Sequence, residues 1–199
     1  MFDLMLTGVG GEGVLTAGTI LARAAQNEGN FVRGVQLHGL AQRGGSIPTF
    51  VRYGKKIHSP AITPANANLI IAFEPLEALR ATYYANRKKT IFILNNWPHV
   101  PINSNIAKVP YPDINEIKKR IMPFAKNVLV FETHKLSLEK FGTSILGNTM
   151  LIGAAIGCGA LPLKERTVRD AIKSTISRQL DSNLTAFDIG VKMGRESKF

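Results

Sequence analysis

Apolar positions in this chain fall into short runs divided by glycine, proline and polar clusters, and the runs alternate in type. Phe2 to Thr7 is apolar without polar alternation, as a strand buried on both faces reads. It meets Gly8-Val9-Gly10-Gly11-Glu12-Gly13 at once, and Val14 to Glu28 follows, rich in Leu, Ile and Ala, as a predicted helix. Phe31 to Val35 predicts a second strand, Gln36 to Gly45 a polar loop, and Ser46 to Tyr53 a third strand that turns at Gly54. Leu69 to Phe73, Thr90 to Leu94 and Asn127 to Phe131 predict further buried strands, and Asn105 to Val109 a short edge strand.

Helices are predicted between and after these strands. Pro75 sits where the first turn of a helix accepts it, ahead of Leu76, Leu79 and Tyr83 on one face. Asp113 and Glu116 have the spacing of an acid cap and its returning carboxylate, before Ile117 and Ile121. Thr133 to Phe141 reads as a helix that stops at Gly142. Beyond it, Asn148 is placed as a helix cap, and the apolar positions of Met150 to Ile152, Val168 to Ile176 and Phe187 to Met193 continue the helical pattern. Gly153 and Gly157, four apart, leave a groove for a close-packed neighbour. Strand and helix alternating over most of the chain predict an α/β fold. The expected form is a single three-layer α/β/α domain over residues 1–199, with a largely parallel central sheet and a Rossmann-like first βα unit.

Composition narrows the chemistry. The single cysteine, Cys158, excludes an internal disulfide framework, and it excludes a Cys-rich zinc or iron–sulfur site built by one copy of the chain. No run of 18 apolar residues occurs and no leader pattern opens the sequence, so the expectation is a cytoplasmic protein with no membrane partner. Lys and Arg number 25 against 14 Asp and Glu, a net +11 that raises nucleic acid as a partner. The basic clusters Arg87-Lys88-Lys89 and Lys118-Lys119-Arg120 are short, however, and no stacking aromatic motif accompanies them. The stretch between Glu28 and Glu74 has no acid but holds Arg33, Arg43, Arg52, Lys55 and Lys56. It suits phosphates, an acidic protein surface or plain solvent.

Gly8-x-Gly10-x-x-Gly13 matches a dinucleotide fingerprint and stands in its required place, after a strand and opening a helix. Glycines let backbone approach a ligand, and the free N–H groups of a helix start favour an anion. Two residues strain a nicotinamide reading: Glu12 inside the loop repels phosphate unless it turns away, and Arg33 stands where an acid for the ribose is expected. Arg33 would suit the extra phosphate of NADP or of coenzyme A. The same glycines also suit a tight turn with close helix–sheet packing, or a protein contact. Gln42-Arg43-Gly44-Gly45-Ser46 is a second candidate, in which Arg43 offers a rigid fork beside glycine backbone N–H groups. His38, His58, His99 and His134 show no ligand spacing, so no metal site is expected. Cys158 has no charged sequence neighbour to make it a nucleophile, and no catalytic residue is assigned.

Taken together, Gly8 to Gly18, His38-Gly39-Leu40-Ala41-Gln42-Arg43-Gly44-Gly45-Ser46, Val51-Arg52-Tyr53-Gly54, Ser59-Pro60, Phe73-Glu74-Pro75-Leu76-Glu77-Ala78-Leu79-Arg80 and Asn95-Asn96 carry a resemblance. The chain resembles the gamma-type domain of the 2-oxoacid:ferredoxin oxidoreductases, and within that family the beta subunits of its indolepyruvate-oxidising members. The likeness runs nearly end to end, through Tyr111-Pro112, Gly142, Asn148 and Asn183-x-x-Ala186-Phe187-x-x-Gly190. It implies a subunit, inactive alone, of an enzyme that decarboxylates an aryl-2-oxoacid oxidatively, with coenzyme A taking the acyl group and ferredoxin the electrons. Thiamine diphosphate and the iron–sulfur clusters would then sit in a partner alpha subunit. This chain would contact coenzyme A or substrate through Gly8, Gly10, Gly11, Gly13, Arg43, Gly44, Gly45 and Asn148. One departure is Glu12, where the family usually has Gln. A free-standing NADP-binding reductase and a basic nucleic-acid-binding or scaffold protein are the alternatives from other classes.

Overall fold

The sheet grows from the glycine-flanked first strand outward in both directions. The computed structural model describes residues 1–37, 44–100 and 110–197. In it β1 (Phe2–Thr7) passes through the glycine turn into α1 (Val14–Asn27), followed by β2 (Phe31–Gln36) and β3 (Thr49–Gly54). Next come β4 (Leu69–Ala72), α2 (Pro75–Arg80), β5 (Ile91–Asn95), α3 (Ile114–Ile121) and β6 (Asn127–Phe131). Four helices close the chain: α4 (Thr133–Phe141), α5 (Gly147–Gly157), α6 (Glu165–Thr175) and α7 (Leu180–Glu196). The strands form one sheet in the order β2-β3-β1-β4-β5-β6. β1, β4, β5 and β6 run parallel, while β3 is antiparallel to both β1 and β2.

Side-chain alternation along the strands supplies two cores, one per face. Leu4, Leu6, Leu69, Ile71 and Ile93 pack with α1, α5, α6 and α7. Met5, Ile70, Ala72, Phe92 and Leu94 pack with α2 and α3. Helices on both faces of a mostly parallel sheet are the expected α/β layering. What the hydrophobic pattern does not carry is the antiparallel insertion of β3 between β1 and β2.

Several boundaries differ from expectation for local reasons. The third strand starts at Thr49 rather than Ser46, because Pro48 has no N–H for a ladder and Ser46 bridges Val9 instead. Thr90 stays outside β5; its hydroxyl donates to the Ala67 carbonyl at 2.6 Å. Asp113 caps α3 by accepting from the Asn115 N–H at 2.7 Å, but Glu116 pairs with Arg120 at 2.5 Å rather than returning to the cap. Asn148 is not a cap: α5 opens at Gly147 behind Leu146, and Asn148 lies inside its first turn. The strand expected at Asn105 to Val109 lies outside the described residues.

At the amino end of β1 the ladder sets Asp3 opposite Arg52, and both are buried. The Arg52 guanidinium donates to Asp3 Oδ1 at 2.7 Å and to the Ser59 and Ala61 carbonyls at 2.9 and 2.7 Å. Arg52 therefore anchors the chain after β3 and is not free to meet a phosphate. A lysine would keep the charge but lose the fork. Arg52→Lys is expected to lower stability by about 1–2 kcal/mol in urea unfolding.

Candidate functional site

The carboxyl ends of β1, β4 and β5 meet where the sheet changes from antiparallel to parallel pairing, the place where open α/β sheets bind ligands. The glycine turn sits there. Gly13 takes a left-handed φ of +76° at the start of α1, a conformation that costs an L side chain about 1–2 kcal/mol. A Cβ on Gly13 would also lie 2.9 Å from Asn148 Nδ2. Gly8 is needed for close approach, since its Cβ would lie 2.9 Å from Val14 Cγ2 and 3.3 Å from Phe73 Cβ.

The turn is paired with the second glycine segment. Gly10 N–H donates to the Gly45 carbonyl at 2.8 Å, Gly44 N–H to the Gly10 carbonyl at 3.2 Å, and Ile47 N–H to the Gly8 carbonyl at 2.9 Å. The structure thus brings the Gly8–Gly13 turn together with Gly44 and Gly45, although 31 residues separate Gly13 from Gly44 in sequence. Asn148 joins them from α5, its amide donating to the Glu12 carbonyl. Arg43, with His38 and Gln42, lies outside the described residues.

Three carboxylates gather under this turn, a cluster that spacing along the chain does not reveal. Glu12 folds back so that its Oε2 accepts the Val9 N–H at 3.1 Å, and its Oε1 is 3.8 Å from His99 Nδ1. The acid in the loop has turned into the turn's own backbone. Glu74 caps α2 by accepting the Glu77 N–H at 2.9 Å, and its other oxygen accepts from the Tyr111 hydroxyl and the His99 N–H. Glu77 accepts from the Ser46 hydroxyl and from Arg80. Burial, with Glu74 and Glu77 adding repulsion and the Val9 N–H opposing, pushes the Glu12 carboxyl up to about 7. Burial and the Glu74 carboxylate likewise raise the Tyr111 phenol above its ordinary value.

A second polar knot lies on the far side of Asn148. Asn95, at the end of β5, accepts from the Thr133 hydroxyl at 2.9 Å and the His134 N–H at 3.3 Å through Oδ1. Its amide must then donate, to the Phe73 carbonyl at 3.2 Å and to His134 Nδ1 at 2.6 Å. That assigns the ring hydrogen to Nε2. Burial lowers His134 to about 4, with the neighbouring Asn148 side chain opposing, so the imidazole is neutral at physiological pH. Trp97 stacks on it with ring centroids 5.9 Å apart. Cys158, raised by burial, has no role in this cluster.

Arg33 does not join the site. It is exposed on β2, in register with Arg52 and Asp3 at the other end of the sheet from the glycine turn, and β3 separates β2 from β1. The arrangement that a dinucleotide reading needs, β2 beside β1 with residue 33 near the turn, is therefore absent. Among the described residues no three His, Cys, Asp or Glu are placed to hold a metal ion, and no helix is long and apolar enough to cross a membrane.

Comparison with known proteins returns one consistent likeness. The family model described as pyruvate ferredoxin/flavodoxin oxidoreductase matches residues 3–193. An indolepyruvate oxidoreductase subunit IorB from Thermococcus kodakarensis is 34% identical over 98% of this chain and 96% of its own length. The subunit of the same name from Pyrococcus horikoshii is 35% identical over the same shares. The gamma subunit of a keto/oxoacid ferredoxin oxidoreductase from Geobacter sulfurreducens has the same fold, with a TM-score of 0.71 at 16% identity over 99% of this chain and 100% of that one.

Proposed function

Because this chain belongs to the pyruvate ferredoxin/flavodoxin oxidoreductase family, we propose that it is the beta-type subunit of an aryl-2-oxoacid:ferredoxin oxidoreductase acting on indolepyruvate. The reaction converts a 2-oxoacid, coenzyme A and two oxidised ferredoxins to acyl-coenzyme A, carbon dioxide, one proton and two reduced ferredoxins. Thiamine diphosphate supplies the decarboxylation chemistry and iron–sulfur clusters the electron path, both in a partner alpha subunit. One buried-leaning cysteine cannot ligate a cluster, which is in keeping with that division. Residues 1–199 form one gamma-type domain of a cytoplasmic complex, and the excess positive charge suits an acidic partner face or the phosphates of the coenzyme.

This chain's own contribution is enclosure and positioning. The observation that carries the reading is the pairing of Gly44–Ile47 with the Gly8–Gly13 turn at the strand ends, around the start of α1. The Gly10 and Gly44 N–H groups are spent on this pairing, so the N–H groups of the first turn of α1 are the ones that would attract a ligand anion. Gly8, Gly10, Gly11, Gly13, Gly44, Gly45 and Asn148 are the contacting set, with Arg43 supplying a guanidinium fork. Asn148 holds the turn by its bond to the Glu12 carbonyl. Glu12 and His99 border the contact without an assigned proton-transfer step.

The chain alone is expected to be colourless and inactive, and to restore coenzyme-A-dependent ferredoxin reduction when mixed with its thiamine and iron–sulfur partner. A partner fully active by itself, forming no complex, would remove this reading. Within the complex, Gly13→Ala shifts the turn against Asn148, and the expected result is a KM for coenzyme A about tenfold higher with kcat little changed, matching about 1–2 kcal/mol of backbone strain. An unchanged KM would count against contact by this turn.

A further inference from the structure

β2 is an outer strand of the sheet, and the direction of its free backbone groups follows from the ladder. The Leu37 N–H donates to the Pro48 carbonyl at 2.9 Å, and by alternation Phe31, Arg33 and Val35 also turn their backbone groups toward β3. Val32, Gly34 and Gln36 therefore turn theirs outward, and among the described residues no strand pairs with them. Sheet edges are ordinarily blunted by proline, a bulge or charge. β2 has no proline, keeps an unbroken register with β3 over its six residues, and leaves Phe31 69% exposed. Its one charge is Arg33.

The two faces of this edge call for different side chains. On the α1 face Gly34 leaves the sheet uncovered, and a groove of about 220 Å³ opens between β2 and α1, lined by Leu15, Gly18, Ala22, Gly34 and Val51. Leu15 is 55% exposed there. A residue added opposite Gly34 would lay its side chain in that groove, as large side chains cover edge glycines. On the other face Arg33 stands opposite Arg52, whose guanidinium is spent on Asp3. Arg33 is exposed and has no ion-pair partner among the described residues. Lys55 and Lys56 are exposed just beyond β3, no acid stands between Glu28 and Glu74, and Glu28 itself accepts the Lys164 N–H at 2.7 Å.

A second copy of β2 does not meet these demands. In antiparallel self-pairing the outward-facing residues meet one another, and the register that lays Val32 over Gly34 sets Arg33 against Arg33. No register brings a carboxylate, since β2 has none. We infer that β2 is the docking edge for an extended segment of the partner subunit, an inference that rests on the subunit reading above. The segment adds as an outer strand, with an apolar residue over Gly34 and a carboxylate beside Arg33. In strand addition the backbone bonds give affinity and the alternate side chains give specificity.

Calorimetric titration of the full 199-residue chain with an acetylated, amidated peptide of about seven residues, alternating glutamate and leucine, tests the edge. Saturable binding that weakens with salt is expected. Hydrogen exchange should show new protection at the Val32, Gly34 and Gln36 amides and none at Arg33 and Val35, which already bond to β3. A peptide alternating lysine and leucine should not bind. Gly34→Pro removes an outward N–H but no bond to β3, and Arg33→Glu reverses an exposed charge; each is expected to weaken peptide binding about tenfold at a near wild-type melting temperature. In the reconstituted complex both should raise the dissociation constant for the partner subunit about tenfold. No binding of the glutamate peptide at millimolar concentration, equal binding of the lysine peptide, or assembly undiminished in both variants overturns the inference. A wild-type chain that binds the peptide but forms no complex removes the subunit reading, and with it the owner of the segment, while the chemistry of the edge stands.

Discussion

Replacing Gly190 by valine is expected to leave no folded protein, and Gly190→Ala to lower the melting temperature by about 4–8 °C. The reason is the crossing of α5 and α7, where Gly153 and Gly157 face Gly190 and Gly194. A Cβ on Gly190 would collide with the Met150 carbonyl oxygen, one on Gly153 with that of Phe187, one on Gly157 with that of Val191 and one on Gly194 with that of Ala154. Every obstacle is backbone, so no rotamer change relieves it and the helices must part. Overpacking of this kind costs about 1–3 kcal/mol, here the upper end because the obstacle is backbone, and alanine returns about 1 kcal/mol in helix propensity, for a net loss of about 2 kcal/mol. For a chain of this size each kcal/mol moves the midpoint by about 2–4 °C. Since α5 is buried from Gly147 to Ala155 between the sheet and α7, parting the pair opens the core as well. The double variant Gly153→Ala/Gly190→Ala should cost less than the sum of the two, because both act on one separation. Thermal and urea unfolding by circular dichroism check this, and unchanged midpoints would show that the helices slide apart without cost.

That contact was half legible in the amino-acid sequence. Gly153 and Gly157 announce a close neighbour by their spacing, but nothing local says that the neighbour is α7, because glycine pairs carry no address. The same limit applies at the site. The strand–turn–helix order around Gly8 to Gly13 is local chemistry and reads correctly, as do β1, β6 and the stop of α4 at Gly142. Pairing of that turn with Gly44 to Ile47 comes from β3 inserting antiparallel beside β1, a long-range choice that hydrophobic alternation does not encode. Asn148 looked like a cap because Asn favours helix starts, yet tertiary contact with the Glu12 carbonyl outweighed that local preference. Glu74 and Glu77 belong to a recognisable motif, but their convergence with Glu12 appears only once β4 is laid against β1.

That convergence gives the largest functional effect expected here. In the complex, the KM for coenzyme A should rise about tenfold between pH 6 and pH 8, and Glu12→Gln should flatten the rise. When ionised, Glu12 holds the Val9 N–H in the turn and adds a negative charge beside the place where a ligand anion would sit. Two like charges some 8 Å apart at an effective dielectric of about 20 repel by about 2 kcal/mol, enough for a tenfold change. The charged and titratable groups facing Glu12 are Glu74, Glu77 and His99, with Arg80 paired to Glu77 and Tyr111 to Glu74. Burial, with the first two adding repulsion, holds the Glu12 carboxyl up near 7, so it loses its proton within the assay range. Stability follows the same group. A carboxyl raised from 4.5 to about 7 on folding binds more protons in the folded state between those values, so stability falls as pH rises through that window. Glu12→Gln should therefore match the wild type near pH 4.5 and melt about 3–6 °C higher at pH 8, for about 1–2 kcal/mol allowing for partial solvent screening. Parallel pH profiles for the two proteins, in KM and in melting temperature, would show that the carboxyl does not titrate against its neighbours and that the loop tolerates a permanent charge.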